Sequence, residues 1–172
     1  MSVVLNKKSE REIKERMAIR LKRSTVIILL VVYILAVIYV VFLDPTRVAG
    51  ERYAEPRWMP LKSTYDFIIE AGKSVRYIRY WAFFLLNLIG NVIMFMPLGF
   101  LLEALSAGAA NKIRVITIAF FFSLSIELLQ LVLMIGVYDA DDIVLNTLGA
   151  WLGLCMYRKM AKKNVILVHN NS

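Results

Sequence analysis

The sequence has 172 residues, 59% of which are hydrophobic, and its formal net charge is +8 at pH 7. This hydrophobic share exceeds the roughly 45–50% typical of soluble domains, which argues against a soluble protein and predicts an integral membrane protein. Because Lys and Arg residues flank the apolar runs, the positive charge indicates contact with anionic membrane lipids and does not indicate nucleic acid binding.

A basic segment and a long apolar run form the first part of the chain. Residues 1–23 contain eight Lys and Arg residues, and residues 24–43 carry no charge. The apolar run matches the ~20 residues that cross a bilayer. It is too long for the apolar region of a cleaved signal sequence, and no small-x-small cleavage site follows it, so we predict a retained anchor.

The segment 44–80 is predicted to be an extracellular loop with a helix of its own. Ser63 and Thr64 precede a helical pattern that places Phe67 and Ala71 on one side. This pattern predicts an amphipathic helix at the membrane interface. The helix could be a tether packed on the bundle or a surface that recruits a substrate.

The second predicted span, 81–102, is uncharged but contains polar and helix-breaking residues. A side-chain amide in hydrocarbon needs a partner, so Asn87 and Asn91, four apart on one helical face, imply a polar neighbour. Pro97 removes a backbone donor and frees the carbonyl one turn back, and Gly99 follows it, so a kink is predicted. The kink could have a functional role or could simply be tolerated, as kinks in membrane helices commonly are.

Two further spans, 113–135 and 141–157, complete a predicted all-α membrane fold of four transmembrane helices plus the interfacial helix. On the third span, Ser123, Glu127 and Gln130 lie on one helical face. On the fourth, a stripe of polar and small residues alternates spacings of three and four: Asp139, Asp142, Asn146, Gly149 and Gly153. The two glycines predict a close approach by another helix.

The third and fourth spans are joined by about five residues, 136–140, so they should form an antiparallel hairpin. At ~1.5 Å per residue, Gln130 and Asn146 would lie at one depth, with Glu127 roughly 4–5 Å deeper. The polar groups of three helices would then meet in one half of the bilayer. The predicted ligand-binding pocket comprises Asn87, Asn91, Glu127, Gln130, Asp139, Asp142 and Asn146.

The carboxylates have more than one interpretation. Glu127 could be functional, or it could hold the bundle together by hydrogen bonds to neighbouring amides. Capping of the fourth helix accounts for one or two of Asp139, Asp141 and Asp142. The remaining acid or acids could form a site for a cation or an amine at the mouth of the pocket. No resident metal and no cofactor are predicted.

Charge bias predicts the orientation. Fourteen Lys and Arg residues lie in 1–23, 103–114 and 158–172, against seven in 44–80. Both termini should therefore be cytoplasmic. The predicted organisation is a cytoplasmic basic segment 1–23, a transmembrane domain 24–157 and a cytoplasmic tail 158–172.

Three motifs together resemble the VanZ-like family of bacterial membrane proteins, over roughly 58–153. They are Asn87-x-x-x-Asn91-x-x-x-Phe95-x-Pro97-x-Gly99, Ser125-Ile126-Glu127-Leu128-Leu129-Gln130, and Asp139-x-Asp141-Asp142-Ile143-x-x-Asn146-Thr147-x-Gly149. The resemblance implies an envelope protein of the bacterial plasma membrane associated with resistance to teicoplanin, a lipoglycopeptide, and no settled biochemical activity. One departure is that Gly136-Val137 stands where the family usually has a basic residue, which argues against a cation beside Asp139.

Three functions are compatible with these features. The first is a binding protein for an envelope lipid, a lipid-linked precursor or a lipoglycopeptide. The second is an intramembrane enzyme with Glu127 as acid/base and Asp142 orienting a cation or water, which is less favoured because no nucleophile is evident. The third is a transporter or assembly partner, with a homodimer docking through Gly149 and Gly153.

Overall fold

The computed structural model describes residues 18–43, 56–72 and 78–169. Most of the predicted basic segment, much of the predicted extracellular loop and the last three residues of the predicted tail lie outside the described residues. The elements in chain order are β1 (Ile19–Lys22), α1 (Arg23–Ile38), a π-helical turn that continues it (Tyr39–Leu43), α2 (Lys62–Gly72), α3 (Ile78–Leu105), α4 (Lys112–Leu133), α5 (Ala140–Lys162) and β2 (Ile166–His169).

The described part of the chain is mostly helical, as the composition predicts. Three of its helices are long and apolar enough to cross a membrane, and they span Arg23–Phe42, Phe84–Leu105 and Lys112–Leu133. Helix α5 is of similar length but less apolar. Two polar residues in its first half, Asp142 and Asn146, contact α3 and α4 respectively.

Helices α3 and α5 run parallel and form the most extensive packing in the bundle. A Cβ added to Gly149 would overlap the carbonyl of Val92, and one added to Gly153 would overlap the carbonyl of Met96. On the α3 side, a Cβ at Gly99 would likewise overlap the backbone of α5. The two backbones therefore touch directly, which only glycine permits at these positions.

Helix α3 remains helical through Pro97. Proline leaves the carbonyl of Ile93 without its helical donor. One residue further along, the carbonyl of Met94 accepts a hydrogen bond of 2.9 Å from the Tyr33 hydroxyl of α1. This bond attaches the first candidate span to the weakened part of α3.

A two-stranded parallel sheet closes one end of the bundle. Strand β1 pairs with β2 in a register that aligns Ile19 with Ile166. Ile166 is buried with Val26 and Tyr157, which attaches both strands to the helices. The sequence analysis treated these segments as basic flanks, because each strand is only four residues long and pairs with a segment distant along the chain.

The two ends of the bundle differ, and we name them by what lies there. The sheet end is where α1 and α4 begin, α3 and α5 end, and β1 and β2 pack. The strap end is where α3 and α5 begin and where residues 56–72, here called the strap, cross the bundle.

Candidate functional site

The strap is attached to the start of α5 by backbone and side-chain contacts of Arg57. Its amide donates to the Tyr138 carbonyl at 2.8 Å, and its carbonyl accepts from the Ala140 amide at 3.0 Å. Its guanidinium Nη1 lies 3.0 Å from Oδ2 of Asp139. One residue of the strap thus pairs with α5 in the manner of a short strand.

This ion pair corrects one expectation from the sequence. The departure at Gly136-Val137 argued against a cation beside Asp139, yet Arg57 occupies that position. The cation comes from a segment 82 residues away along the chain. Local motif spacing could not show this, because the pair forms only when the strap folds over α5.

A second carboxylate, Asp141, holds the beginning of α2. It is 4% exposed, and it accepts hydrogen bonds from the Leu61 amide and from the amide and hydroxyl of Thr64, the latter two at 3.0 and 2.8 Å. The first amides of a helix lack intrahelical partners, so a carboxylate stabilises that end. Leu61 adopts a left-handed backbone conformation with φ of 65°, which this carboxylate helps to maintain.

The third carboxylate, Asp142, contacts the second candidate span. It accepts a hydrogen bond from the side-chain amide of Asn91. Asn91 lies seven residues inside the apolar segment that begins at Phe84, about 10 Å along the helix axis. The contact therefore pairs a buried amide of the apolar segment with a half-buried carboxylate.

All three acids of the motif have partners inside the protein. Asp139 caps α5 through the Asp141 amide at 2.9 Å and also pairs with Arg57, and its two neighbours bind the strap and α3. Capping of α5 was expected to account for one or two of these acids, with a cation or amine site for the remainder. Asp141 instead attaches the strap, and Asp142 contacts α3. Among the described residues, no group of three His, Cys, Asp or Glu side chains is placed to hold a metal.

Glu127 is buried, with 3% exposure, beneath the start of α5. Its Oε2 accepts a hydrogen bond of 2.9 Å from the backbone amide of Asp139. The deepest carboxylate of α4 thus positions the acid that binds Arg57. It acts through the backbone, which the sequence analysis did not consider.

Asn146 pairs with Ser123, at 2.9 Å between Nδ2 and Oγ, and this corrects the depth predicted from the sequence. Asn146 was expected level with Gln130, which lies about two helical turns above Ser123. The connection between α4 and α5 folds back along α4, because Gly136 packs against Gln130 and the Asp139 amide bonds Glu127. Helix α5 therefore begins nearer to the middle of α4 than a count of residues from the turn predicts.

Gln130 is buried but packs against the connection rather than against Asn146. A Cβ at Gly136 would lie 3.1 Å from its Nε2. The predicted pocket residues are thus brought together in pairs, with Gln130 beside the turn.

A cavity of about 640 Å³ lies at the strap end. Its walls come from the strap, from α3 and from the start of α5. The lining residues are Pro56, Arg57, Trp58, Met59, Lys62, Thr64, Asp66, Phe84, Asn87, Leu88, Asp139, Asp141 and Leu145.

Two of the predicted pocket residues, Asn87 and Asp139, line this cavity. The other five lie among the helices and are absent from its walls: Asn91, Glu127, Gln130, Asp142 and Asn146. Of these five, Glu127 contacts a cavity residue, through the backbone amide of Asp139. The strap supplies most of the cavity residues that the sequence analysis missed.

An aromatic pair helps to hold the strap. The rings of Trp58 and Tyr138 lie 4.6 Å apart between centroids, with 32° between their planes. Trp58 nevertheless remains 60% exposed. The sequence feature that could have indicated this part of the strap is the pair Pro56 and Pro60 on either side of Trp58, because proline restricts the backbone of a surface segment.

The sheet end contains a partly buried ion pair that the motifs did not predict. Glu103 is fully buried, and its Oε1 lies 2.7 Å from Nε of Arg158. Arg158 also donates to the Ala110 carbonyl at 2.6 Å. The pair joins the ends of α3 and α5 to the α3–α4 connection.

Comparisons with known proteins agree with the motifs. The VanZ/LLP1 family model matches residues 30–164. Protein VanZ of Enterococcus faecium is 36% identical over 73 residues, which are 41% of this chain and 44% of that protein. The match therefore covers less than half the length of this relative. No solved structure matches the chain.

Proposed function

Because this chain belongs to the VanZ/LLP1 family, we propose that its strap-end cavity binds an envelope lipid, a lipid-linked envelope precursor or a lipoglycopeptide. Such binding would contribute to resistance of the teicoplanin type. Family membership supports the kind of ligand. The cavity is the place in this chain where we propose that the ligand binds.

The cavity is the observation that carries this proposal. Its volume of about 640 Å³ lies within the roughly 300–1,000 Å³ of small-molecule sites. Its walls combine apolar side chains, such as Phe84 and Leu88, with polar ones, such as Asn87 and Lys62. This combination suits a molecule that has a polar head group and an apolar portion.

Binding is favoured over catalysis by the positions of the two acids considered for an enzyme. Glu127 is bound to the Asp139 amide, Asp142 is bound to Asn91, and neither lines the cavity. A general acid or base must lie within hydrogen-bond reach of the reacting group. The two acids are better placed to support the cavity than to act on a ligand inside it.

The proposal includes a topology with four spans, in which α5 is the fourth and both termini are cytoplasmic. Helix α5 has 23 residues, about 34 Å of helix, which is enough to cross a bilayer. Charge bias then places the cavity on the outer side of the bacterial plasma membrane. In this arrangement the exposed Tyr65, Ile68 and Ile69 of α2 would lie in the membrane interface.

Two tryptophan substitutions on the same helix test the proposal. Leu88 lines the cavity, whereas Leu86 is 68% exposed and lies outside it. Leu88→Trp should fill the cavity, and Leu86→Trp is the matched control. Each variant and the wild type would be expressed at equal level in a teicoplanin-susceptible bacterium.

The wild type and Leu86→Trp should raise the inhibitory concentration of teicoplanin and should retain fluorescent teicoplanin when purified, whereas Leu88→Trp should lose both properties. If Leu88→Trp behaves like the wild type in both assays, the cavity is not the site. If the wild type neither protects the cell nor binds teicoplanin, the lipoglycopeptide part of the proposal fails. Binding of extracted envelope lipids would then test the lipid part with the same pair of variants.

A further inference from the structure

We propose that the sheet end binds the phosphate groups of anionic lipids through a basic rim. The rim consists of six exposed basic residues in three pairs: Lys22 and Arg23, Lys112 and Arg114, and Lys162 and Lys163. This inference is independent of the strap-end cavity, because it concerns the opposite end of the bundle.

The fold brings the three pairs to one place. Lys22 ends β1, which pairs with β2, and the Ile19 amide donates to the Val165 carbonyl at 2.8 Å. This pairing brings the beginning of α1 to the end of α5. Arg158 then connects the end of α5 to the α3–α4 connection through the Ala110 carbonyl. Positions far apart in sequence thus share one surface.

Within the described part of the chain, the basic residues of the rim have no exposed acidic neighbour. Among the described residues, the acidic side chain at the sheet end is Glu103, which is fully buried and paired with Arg158. At the strap end, by contrast, Arg57 and Lys62 lie among several carboxylates. The sheet end is therefore the strongly basic end of the described structure.

Apolar side chains between the basic residues indicate lipid rather than a soluble anion. Ile113, between Lys112 and Arg114, is 71% exposed. Ile19 is 53% exposed, and Val165, next to the turn that ends α5, is 39% exposed. Exposed apolar residues among Lys and Arg are typical of surfaces that lie at the boundary between head groups and acyl chains. A soluble phosphate would gain nothing from them.

Lipid selection by the full-length protein tests this inference. The protein would be reconstituted in nanodiscs with equal amounts of phosphatidylglycerol and phosphatidylcholine, and the retained lipids would be counted by native mass spectrometry. The test variant is Arg114→Gln with Lys162→Gln and Lys163→Gln. The control is Lys162→Arg with Lys163→Arg, which keeps the charge.

The wild type and the charge-keeping control should retain phosphatidylglycerol over phosphatidylcholine, and the neutralised variant should lose about fivefold or more of that preference. The preference should also fall as salt is raised. Equal preference in the wild type and the neutralised variant, with both folded by circular dichroism, would overturn the inference. Displacement of the lipid by equimolar inorganic phosphate would also overturn it, because the rim would then be a site for free anions. Teicoplanin binding by the neutralised variant should be unchanged, which separates this result from the test of the cavity.

Discussion

The two ends of the bundle both contain buried carboxylates, but they use them differently. At the sheet end, Glu103 joins α3 to α5 through one arginine, and the surroundings are closed. At the strap end, Asp139 and Asp141 hold a segment that is mostly exposed, and a cavity remains beside it. The same chemical group can thus join two helices or attach a surface segment.

The difference follows from what each carboxylate binds. A buried ion pair between two helices is lost only if the helices separate or an uncompensated charge remains buried. Hydrogen bonds from a surface segment can break while the bundle stays folded, because local opening requires less free energy than global unfolding. We therefore expect the sheet end to govern stability and the strap end to govern the shape of the cavity.

The largest effect is expected at the sheet end, from Arg158→Met. This change leaves Glu103 buried without its cation, which costs roughly 3–5 kcal/mol of unfolding free energy for such pairs. Thermal unfolding in detergent, followed by circular dichroism, measures the loss. The double variant Glu103→Gln with Arg158→Met should recover most of it. A variant Arg158→Met as stable as the wild type would remove the proposed difference between the two ends.

An intermediate effect is expected where α3 and α5 touch, from Gly153→Ala. The added methyl group would overlap the Met96 carbonyl, and overpacking of this kind costs about 1–3 kcal/mol. Gly90→Ala on α3 is the matched control, because nothing lies within 4 Å of its added Cβ. Thermal unfolding should separate the two variants clearly. Equal melting temperatures would mean that the helices can move apart at little cost.

The smallest effect on global stability is expected at the strap end, from Asp141→Asn. The substitution weakens the bonds to Leu61 and Thr64, each worth about 1.5–3 kcal/mol to the local attachment when the acceptor is charged. Amide hydrogen exchange should accelerate in α2 and remain unchanged in α3 and α5. Asp66→Asn, which changes an exposed acid of the strap, serves as the control. Faster exchange throughout the bundle would show that the strap is part of the stable core.

Much of the fold could be predicted because its signals are local. Apolar runs of about 20 residues predict helices that cross a bilayer, and the described residues include three helices of sufficient length and hydropathy. The glycines of α5 follow a helical period, and they lie where the backbones touch. The motifs also identify the family that the family model matches.

The site could be predicted only in part, because its contacts join distant segments. Asn87 and Asp139 line the cavity, but the position of Arg57 depends on a fold-back over 82 residues. The depth of Asn146 depends on a connection that packs along α4 instead of extending away from it. Neither fact follows from helical spacing, since periodicity specifies a face and not its partner.

The sequence by itself determined which segments are apolar helices and which of their faces carry amides and carboxylates, because hydrophobicity and period are properties of neighbouring residues. Only the tertiary structure decided that Arg57 meets Asp139, that Arg158 meets Glu103 and that β1 meets β2. Such pairings depend on how the chain reverses and on which charges must be compensated once they are buried.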